Sequence, residues 1–317
     1  LLVHSNGDTY LSAARSGTIV YGGVFEGGST LYFVERSGLE RAVLTRLRLE
    51  DPRLSPDGSQ VAFVQARDLE SGTSDVWIYD VEQGVDTRLT SGDGSAVAPV
   101  WLGPRLVGYA VASGPRRGRV FARPSDFSRE TTELFGLDGA GAFLGGGVGA
   151  DDRVPFTRFA RGSVDVWTAG LDGSDPRPLI ATEFTEERPA LSPDGRWVAY
   201  ESDESGAPEI YVSPFPGPGP RTRISIDGGF DARWTRQGRE IMYRTSGLGV
   251  AAARVEEDGG ALRVVSREDI PIRPFGGTGG FYSWVVSPDG ERLLLIRDAA
   301  SSDLLVEVNA VGAGPGS

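Results

Sequence analysis

Cysteine is absent from the 317 residues, and the chain contains a single histidine and a single methionine. Without cysteine the protein has no disulfides, no thiolate metal sites and no thiol nucleophile. A catalytic serine needs a base, but the one histidine, His4, lies near the first residue, and no Gly-x-Ser-x-Gly motif occurs. The sequence therefore argues against thiol and seryl hydrolase chemistry, and we interpret His4 as an ordinary strand-end residue.

Lysine is also absent, so all 32 basic residues are arginine, against 44 acidic residues and a net charge of −12. An acidic balance disfavours binding to nucleic acid and to anionic membrane surfaces. We interpret the exclusive use of arginine as a reflection of genome composition and not as an arginine-based binding site.

Long apolar runs are missing too, since none approaches the roughly 18 residues of a membrane-spanning helix. We therefore predict no membrane insertion by the domain itself. The first residue is leucine, and we expect the chain to be part of a longer protein. We assign residues 1–311 to one domain and residues 312–317 to a flexible tail or a remnant of cloning.

Glycine and proline are plentiful, with 45 and 20 residues, and they mark tight turns. The clearest turn is Ser192-Pro193-Asp194-Gly195, which lies between two apolar segments. The serine hydroxyl can cap the turn, proline presets φ at the first corner, and glycine takes the positive φ that reverses the chain. This tetrapeptide predicts a β-hairpin.

The hairpin recurs along the chain, intact at residues 55–58 and 287–290 and degenerate elsewhere. The turn anchors are Gly17, Gly58, Pro104, Asp152, Gly195, Gly238 and Gly290. A period of roughly 40 to 50 residues with four short strands is typical of a β-propeller blade. We expect almost no helix, because no long segment has a 3.6-residue apolar period.

The repeats predict an all-β propeller of four-stranded blades, with seven blades as the first choice. Six blades is the alternative, if the weak first and last units merge. The last unit lacks one strand, and we expect residues 1–4 to supply it beside residues 304–308, so that the N-terminal strand closes the ring.

Several aromatic residues occur at repeated places. Trp77, Trp167 and Tyr211 occupy equivalent strand positions, which favours packing between blades over a ligand cage. Trp101 and Trp234 precede turns on inner strands, and we predict that they belong to the core.

The acidic residues do not suggest a metal site. Asp57, Asp194 and Asp289 lie in turns of separate blades, so we assign them to turn chemistry. The acidic clusters at Glu183, Glu186 and Glu187 and at residues 256–258 lack the spacing of a calcium loop, and we interpret them as solvated loops. We predict no catalytic residue, no metal and no cofactor.

A candidate binding site follows from propeller geometry. Inner strands run along the central channel, so their first residues ring one mouth. Counting four positions back from each turn serine gives Tyr10, Asp51, Ala98, Gly145, Arg188, Asp231 and Ser283, with Tyr282 beside the last. We predict that a small ligand or a peptide of a partner protein binds at Tyr10, Asp51, Arg188, Asp231 and Tyr282. A hydrated, unoccupied rim is the alternative.

The repeat unit also resembles a known family. Ser-Pro-Asp-Gly, an apolar-Ala-aromatic strand, Asp/Glu-Val/Ile-Trp/Tyr and a closing Arg-Leu-Thr resemble the WD40-like repeat of TolB-type propellers, best over residues 55–90 and 192–225. Residues 201–219 are similar to a segment of the TolB-like propellers fused to bacterial membrane serine/threonine protein kinases. Residues 12–21 resemble the first blade of that group.

This resemblance implies a non-catalytic sensor or interaction domain, outside the cytoplasm of a bacterium and anchored to the membrane in its full-length form. Kinase activity does not belong to this chain, because the Gly-rich phosphate loop, His-Arg-Asp and Asp-Phe-Gly are missing. The alternatives are a periplasmic TolB-like protein-interaction scaffold, the accessory propeller of a peptidase, or a lyase or hydrolase that works within the channel.

Overall fold

The computed structural model describes residues 10–13, 18–22, 29–35, 37, 39–46, 48–68, 72–92, 94–136, 141–149, 151–160, 162–217, 219–235, 238–247, 249–272, 284–287, 289–298 and 306–309. Its named elements in these ranges are 27 β-strands, numbered in chain order. The all-β prediction is therefore confirmed.

Five antiparallel four-stranded sheets are built from consecutive strands. Blade 1 contains β5 (Leu49–Leu54), β6 (Gln60–Asp68), β7 (Thr73–Asp80) and β8 (Val85–Arg88). Blade 2 contains β9 (Ala96–Trp101), β10 (Leu106–Val111), β11 (Arg119–Pro124) and β12 (Thr132–Gly136). Blade 3 contains β13 (Gly141–Leu144), β14 (Arg153–Ala160), β15 (Ser163–Gly170) and β16 (Arg177–Ile180).

The next two sheets follow the same order. Blade 4 contains β17 (Glu186–Leu191), β18 (Trp197–Ser202), β19 (Glu209–Pro214) and β20 (Thr222–Arg223). Blade 5 contains β21 (Phe230–Thr235), β22 (Glu240–Arg244), β23 (Val250–Asp258) and β24 (Ala261–Ile270). In each blade the first strand is the inner one.

Blade 6 combines strands that are distant in sequence. It places β25 (Trp284–Val286) and β26 (Arg292–Asp298) beside β3 (Ser29–Glu35) and β4 (Glu40–Arg46). Arg297 contacts Glu40 at 2.6 and 2.8 Å and so joins β26 to β4. The remaining strands, β1 (Tyr10–Ala13), β2 (Thr18–Gly22) and β27 (Val306–Asn309), form a three-stranded sheet in the order β1-β2-β27.

The prediction of seven blades is wrong, because the described residues form six four-stranded sheets, which was the alternative. The last repeat supplies only the hairpin β25-β26, and it completes its sheet with β3 and β4 from the first repeat. The predicted pairing of residues 1–4 lies outside the described residues. Of the strand at 304–308, the part that is described pairs with β2.

The six inner strands form a closed ring, in which β5, β9, β13, β17, β21 and β25 each contact the next and β25 contacts β5. An apolar cluster fills each of the six spaces between neighbouring blades. On β6, Val61 and Phe63 face blade 6, whereas Ala62 and Val64 face blade 2. Since successive strand residues point to opposite faces, a strand buried on both sides needs an unbroken apolar run.

The aromatic residues at equivalent strand positions confirm packing between blades. Trp77 packs in the cluster between blades 6 and 1, Trp167 in that between blades 2 and 3, and Tyr211 in that between blades 3 and 4. All three belong to apolar clusters and none to a ligand cage.

Trp101 and Trp234 confirm the core prediction and add a repeated hydrogen bond, with each residue only 9% exposed. Trp101 Nε1 donates to the carbonyl oxygen of Arg53, and Trp234 Nε1 to that of Ala190, both at 2.9 Å. Each acceptor lies on the inner strand of the preceding blade, so these indoles link neighbouring inner strands.

The Ser-Pro-Asp-Gly turns form as predicted. Ser192 Oγ donates to Asp194 Oδ1 at 2.5 Å and accepts a hydrogen bond from the backbone N–H of Trp197 at 3.0 Å. Gly195 has φ of 68°. The serine–aspartate bond recurs between Ser55 and Asp57 and between Ser287 and Asp289. These aspartates therefore serve the turns.

We predict that Ser192→Ala lowers the free energy of unfolding by about 1–2 kcal/mol, because it leaves the buried N–H of Trp197 without its acceptor. Urea denaturation measures the change. Ser205→Ala is the matched control, since its exposed hydroxyl donates only to the carbonyl of Ala207. An equal loss in both variants would contradict the assigned role of the turn serine.

Candidate functional site

Four inner strands carry a β-bulge at the position predicted for the channel site. The bulge residues Asp51, Ala98, Arg188 and Asp231 have φ of 51°, 50°, 53° and 55°. The strand register shifts at each of them. Left-handed backbone is uncommon for residues other than glycine, and its recurrence marks a built feature of the repeat. Counting back from the turn serine therefore identified structurally equivalent residues.

These residues are largely withdrawn from solvent. Asp51 is 8% exposed and Asp231 is 2% exposed. Each bulge lies within its strand, after residues that already pair with the second strand, and ligand binding at these residues stays a prediction. Burial of these charges requires partners, which the neighbouring strands supply.

Two of the remaining predicted residues lie elsewhere. Tyr10 lies on β1 in the three-stranded sheet and not on the inner strand of a blade. Gly145 follows β13 and donates its N–H to the carbonyl of Pro155 at 2.9 Å. Tyr282 and Ser283 lie outside the described residues.

Glu201 on β18 connects two of the bulges. Arg188 Nη1 lies 3.1 Å from both carboxylate oxygens of Glu201. The backbone N–H of Asp231 donates to Glu201 Oε1 at 2.6 Å. Glu201 thus joins blades 4 and 5, although the sequence analysis did not single it out. The sequence did contain a signal for this residue. Glu201 occupies the position at which equivalent repeats have Val64 and Ile296, and both of those are buried.

Arg53 and Arg233 each contact the backbone of the preceding residue in the same way. Arg53 Nη1 donates to the carbonyl oxygen of Pro52 at 3.0 Å, and Arg233 Nη1 donates to that of Ala232 at 2.9 Å. Both arginines stand two positions after a bulge. Arg233 also forms an ion pair of 2.6 Å with Asp231 Oδ1.

The channel environment shifts two carboxyl groups. Burial raises the pKa of Asp51 to about 7, with Arg53 opposing the shift and Glu50 and Asp231 adding to it. Burial likewise raises the pKa of Glu201 to about 7, against the opposing effect of Arg188. Near neutral pH both groups are therefore partly protonated.

A cavity of about 520 Å³ occupies the channel, and all six blades line it. Its wall is largely apolar and includes Trp101, Leu191 and Trp234, together with Arg53, Arg188 and Arg233. The exposed prolines of two Ser-Pro-Asp-Gly turns also line it, so the cavity reaches the surface at the turn side. Its size suits a small ligand or a few residues of a peptide.

One acidic cluster differs from its prediction as a solvated loop. Glu186 begins β17, is fully buried and accepts hydrogen bonds from the backbone and side chain of Thr182. Burial raises the pKa of Glu186. Residues 256–258 are exposed, as predicted, but the prediction of a loop is wrong, because they end β23 and pair with β24.

The described residues contain no group of three histidine, cysteine, aspartate or glutamate residues that could hold a metal ion. Nor do they include a helix with the length and apolar character needed to cross a membrane.

No protein-family model matches the chain. Tricorn protease homolog 1 of Streptomyces coelicolor is 38% identical over 86 residues, which are 26% of this chain and 8% of that protein. The Tol-Pal system protein TolB of Desulfosudis oleivorans is 30% identical over 63 residues, which are 20% of this chain and 14% of that protein. The chain thus spans a small part of the curated relatives it matches.

A structure solved as TolB from Agrobacterium tumefaciens has the same fold, with a TM-score of 0.67 and 17% identity. The likeness covers 86% of this chain and 99% of that chain. The fold is therefore that of a TolB-like β-propeller.

We predict that the protein becomes less stable as the pH rises from about 4 to about 7. The folded pKa values of Asp51 and Glu201 exceed the usual values of 3.8 and 4.5, so the folded state holds more protons in this range. Each group contributes a slope of up to about 1.4 kcal/mol per pH unit. The melting temperature of the double variant Asp51→Asn, Glu201→Gln should fall less than that of the wild type between pH 5 and pH 8.

Asp57→Asn is the control, because hydrogen bonds from Ser55 and Ser59 lower the pKa of Asp57 to about 2. Stability from that group is present at pH 5 and above and is lost only in stronger acid. A double variant with the same pH profile as the wild type would show that Asp51 and Glu201 do not titrate in this range.

Proposed function

We propose that this propeller is a non-catalytic protein-binding module that takes a segment of a partner protein into its central channel from the turn side. The observation that carries the proposal is the cavity to which all six blades contribute and which reaches the surface beside Pro56 and Pro193. An apolar wall with a few charged groups suits an extended peptide. The TolB-like fold and the similarity to a Tol-Pal system protein support this proposal.

The same support favours a periplasmic location and the interaction scaffold that was the alternative in the sequence analysis. The sensor of a membrane kinase stays a prediction from the repeat sequence, since none of the similarities described above is to a kinase. Membrane anchoring of the full-length protein stays a prediction as well.

A second candidate is the accessory propeller of a peptidase. The 86-residue similarity to Tricorn protease homolog 1 favours it. The two candidates share a binding role for the channel and differ in what the rest of the gene encodes. A peptidase domain in the full-length gene would select the second candidate.

Gly146 offers a way to block the cavity without disturbing the fold. It lines the cavity, and a Cβ built on it meets no atom within 4 Å. Its backbone accepts a hydrogen bond from the N–H of Leu191 at 2.8 Å and donates one to the carbonyl of Pro189 at 3.2 Å. A side chain at this position leaves both bonds possible and extends into the channel.

We predict that Gly146→Phe abolishes partner binding. A photo-cross-linking amino acid at the half-buried, cavity-lining Leu102 should give a discrete adduct with one protein in cells that produce the full-length protein. Gly146→Phe should reduce that adduct at least roughly tenfold, because the ring occupies space that the peptide needs. Mass spectrometry identifies the adduct and quantifies it.

Two controls accompany this experiment. Gly92→Phe introduces the same ring at an exposed glycine with equally open surroundings, and it should leave the adduct unchanged. A cross-linker at Val265, which is 47% exposed on β24, should not give the same adduct. Adducts that survive Gly146→Phe, or that form equally from Val265, would reject binding in the channel.

A further inference from the structure

Three arginines line the channel cavity, each from a different blade. Arg53 comes from blade 1, Arg188 from blade 4 and Arg233 from blade 5, and each lines the cavity. The side chains of Arg188 and Arg233 are 12% and 13% exposed. Arginine side chains that are largely withdrawn from water interact more strongly with an anion than exposed ones, because less water screens them.

The three side chains are held in place before any ligand arrives. Arg53 and Arg233 fold back onto the carbonyl of the preceding residue in the same way. Glu201 holds Arg188 through two contacts of 3.1 Å. Preorganised donors lose little conformational entropy on binding, which favours affinity.

Three buried carboxyl groups lie beside these arginines. Asp51, Glu201 and Asp231 are the buried carboxyl groups that face them. Burial raises the pKa of both Asp51 and Glu201 to about 7, so both are partly uncharged near neutral pH. Protonation of Asp51 or Glu201 makes the wall more positive, although the whole chain has a net charge of −12.

The rest of the wall is apolar. Trp101, Leu191 and Trp234 lie on inner strands of three blades, and Val285 and Val286 come from a fourth. A ligand that fits both parts of the wall has an anionic group on an apolar body. The planar guanidinium fork matches a carboxylate, which accepts two parallel hydrogen bonds.

We propose that the cavity recognises a carboxylate on an apolar body through Arg53, Arg188 and Arg233. Two parts of a partner peptide can supply it, its C-terminus or an acidic side chain between apolar residues. The inference rests on the proposed function and names the chemistry that the channel selects. It also assigns a binding role to arginines that the sequence analysis attributed to genome composition alone.

Titration calorimetry with matched probes tests this proposal. 4-Phenylbutyrate and 4-phenylbutyramide share one apolar body and differ in charge, and the carboxylate should bind at least roughly tenfold more tightly. Acetyl-Leu-Ala-Leu with a free or an amidated C-terminus tests recognition of a C-terminal carboxylate. Comparison of acetyl-Leu-Glu-Leu-amide with its glutamine analogue tests recognition of an acidic side chain between apolar residues. A preference for the carboxylate in either peptide pair supports the proposal and identifies the source.

Arg53→Gln should reduce the preference for the carboxylate to about threefold or less and leave the affinity for the amide unchanged, because glutamine is uncharged. Arg233→Gln is the second variant, from the equivalent position of blade 5. Arg105→Gln is the control, since the Arg105 side chain is 78% exposed, lies 3.6 Å from Asp126 and does not line the cavity. Thermal melts check that each variant is folded.

Equal binding of 4-phenylbutyrate and its amide, or no binding of any probe, would overturn the carboxylate proposal. An equal loss in Arg53→Gln and Arg105→Gln would overturn it as well. The cross-linking experiment at Leu102 decides independently whether a protein binds in the channel. A channel adduct without carboxylate preference rejects this inference alone, whereas adducts that persist in Gly146→Phe reject the proposed function.

Discussion

Burial of two apolar faces per blade is the constraint on which the structure depends. A strand that is covered on both faces contributes to the clusters on both of its sides, as Val61 and Ala62 show on adjacent positions of β6. A blade that lacks a neighbour on one side leaves one of these faces in water. Exposed apolar surface is the main unfavourable contribution in a stack of sheets. A closed ring removes the open face, and here it is achieved in blade 6 by combining β25 and β26 with β3 and β4. The same ring creates the channel, so the site exists only as a consequence of closure.

The channel imposes a second constraint, because inner strands bring polar backbone and charged side chains together in a confined space. The bulges at Asp51, Arg188 and Asp231 interrupt strand pairing and leave N–H groups that need acceptors. Side chains on neighbouring strands supply them, as Glu201 does for Asp231 and Thr157 does for Arg188. An unpaired buried charge is costly, whereas a paired one is tolerated. The network around Glu201 therefore allows the left-handed residues of blades 4 and 5 to stay buried.

Local turn chemistry and the repeat period were sufficient to predict the blades, the turn aspartates and the packing of Trp77. They also identified the equivalent bulge positions, because a fixed distance from a well-formed turn is a local property. The blade count failed for a non-local reason: which strands complete the last sheet depends on pairing between residues separated by 257 positions, as for Glu40 and Arg297. Glu201 was missed because its role depends on a neighbour in the next blade. The burial of the bulge residues was not predicted, because each bulge lies within a strand that the sequence analysis treated as starting there.

The likeness to TolB proteins establishes the fold, and the residues of the channel must carry any argument about function, because one fold serves many functions. The arginines illustrate the difference. Composition shows only that every basic residue is arginine, which a biased genome explains equally well. Position shows that Arg53 and Arg233 adopt one conformation at equivalent places of separate blades and face one cavity together with Arg188. Codon bias accounts for the choice of arginine over lysine, but it does not account for the presence of three arginines in the wall of one cavity of an acidic protein.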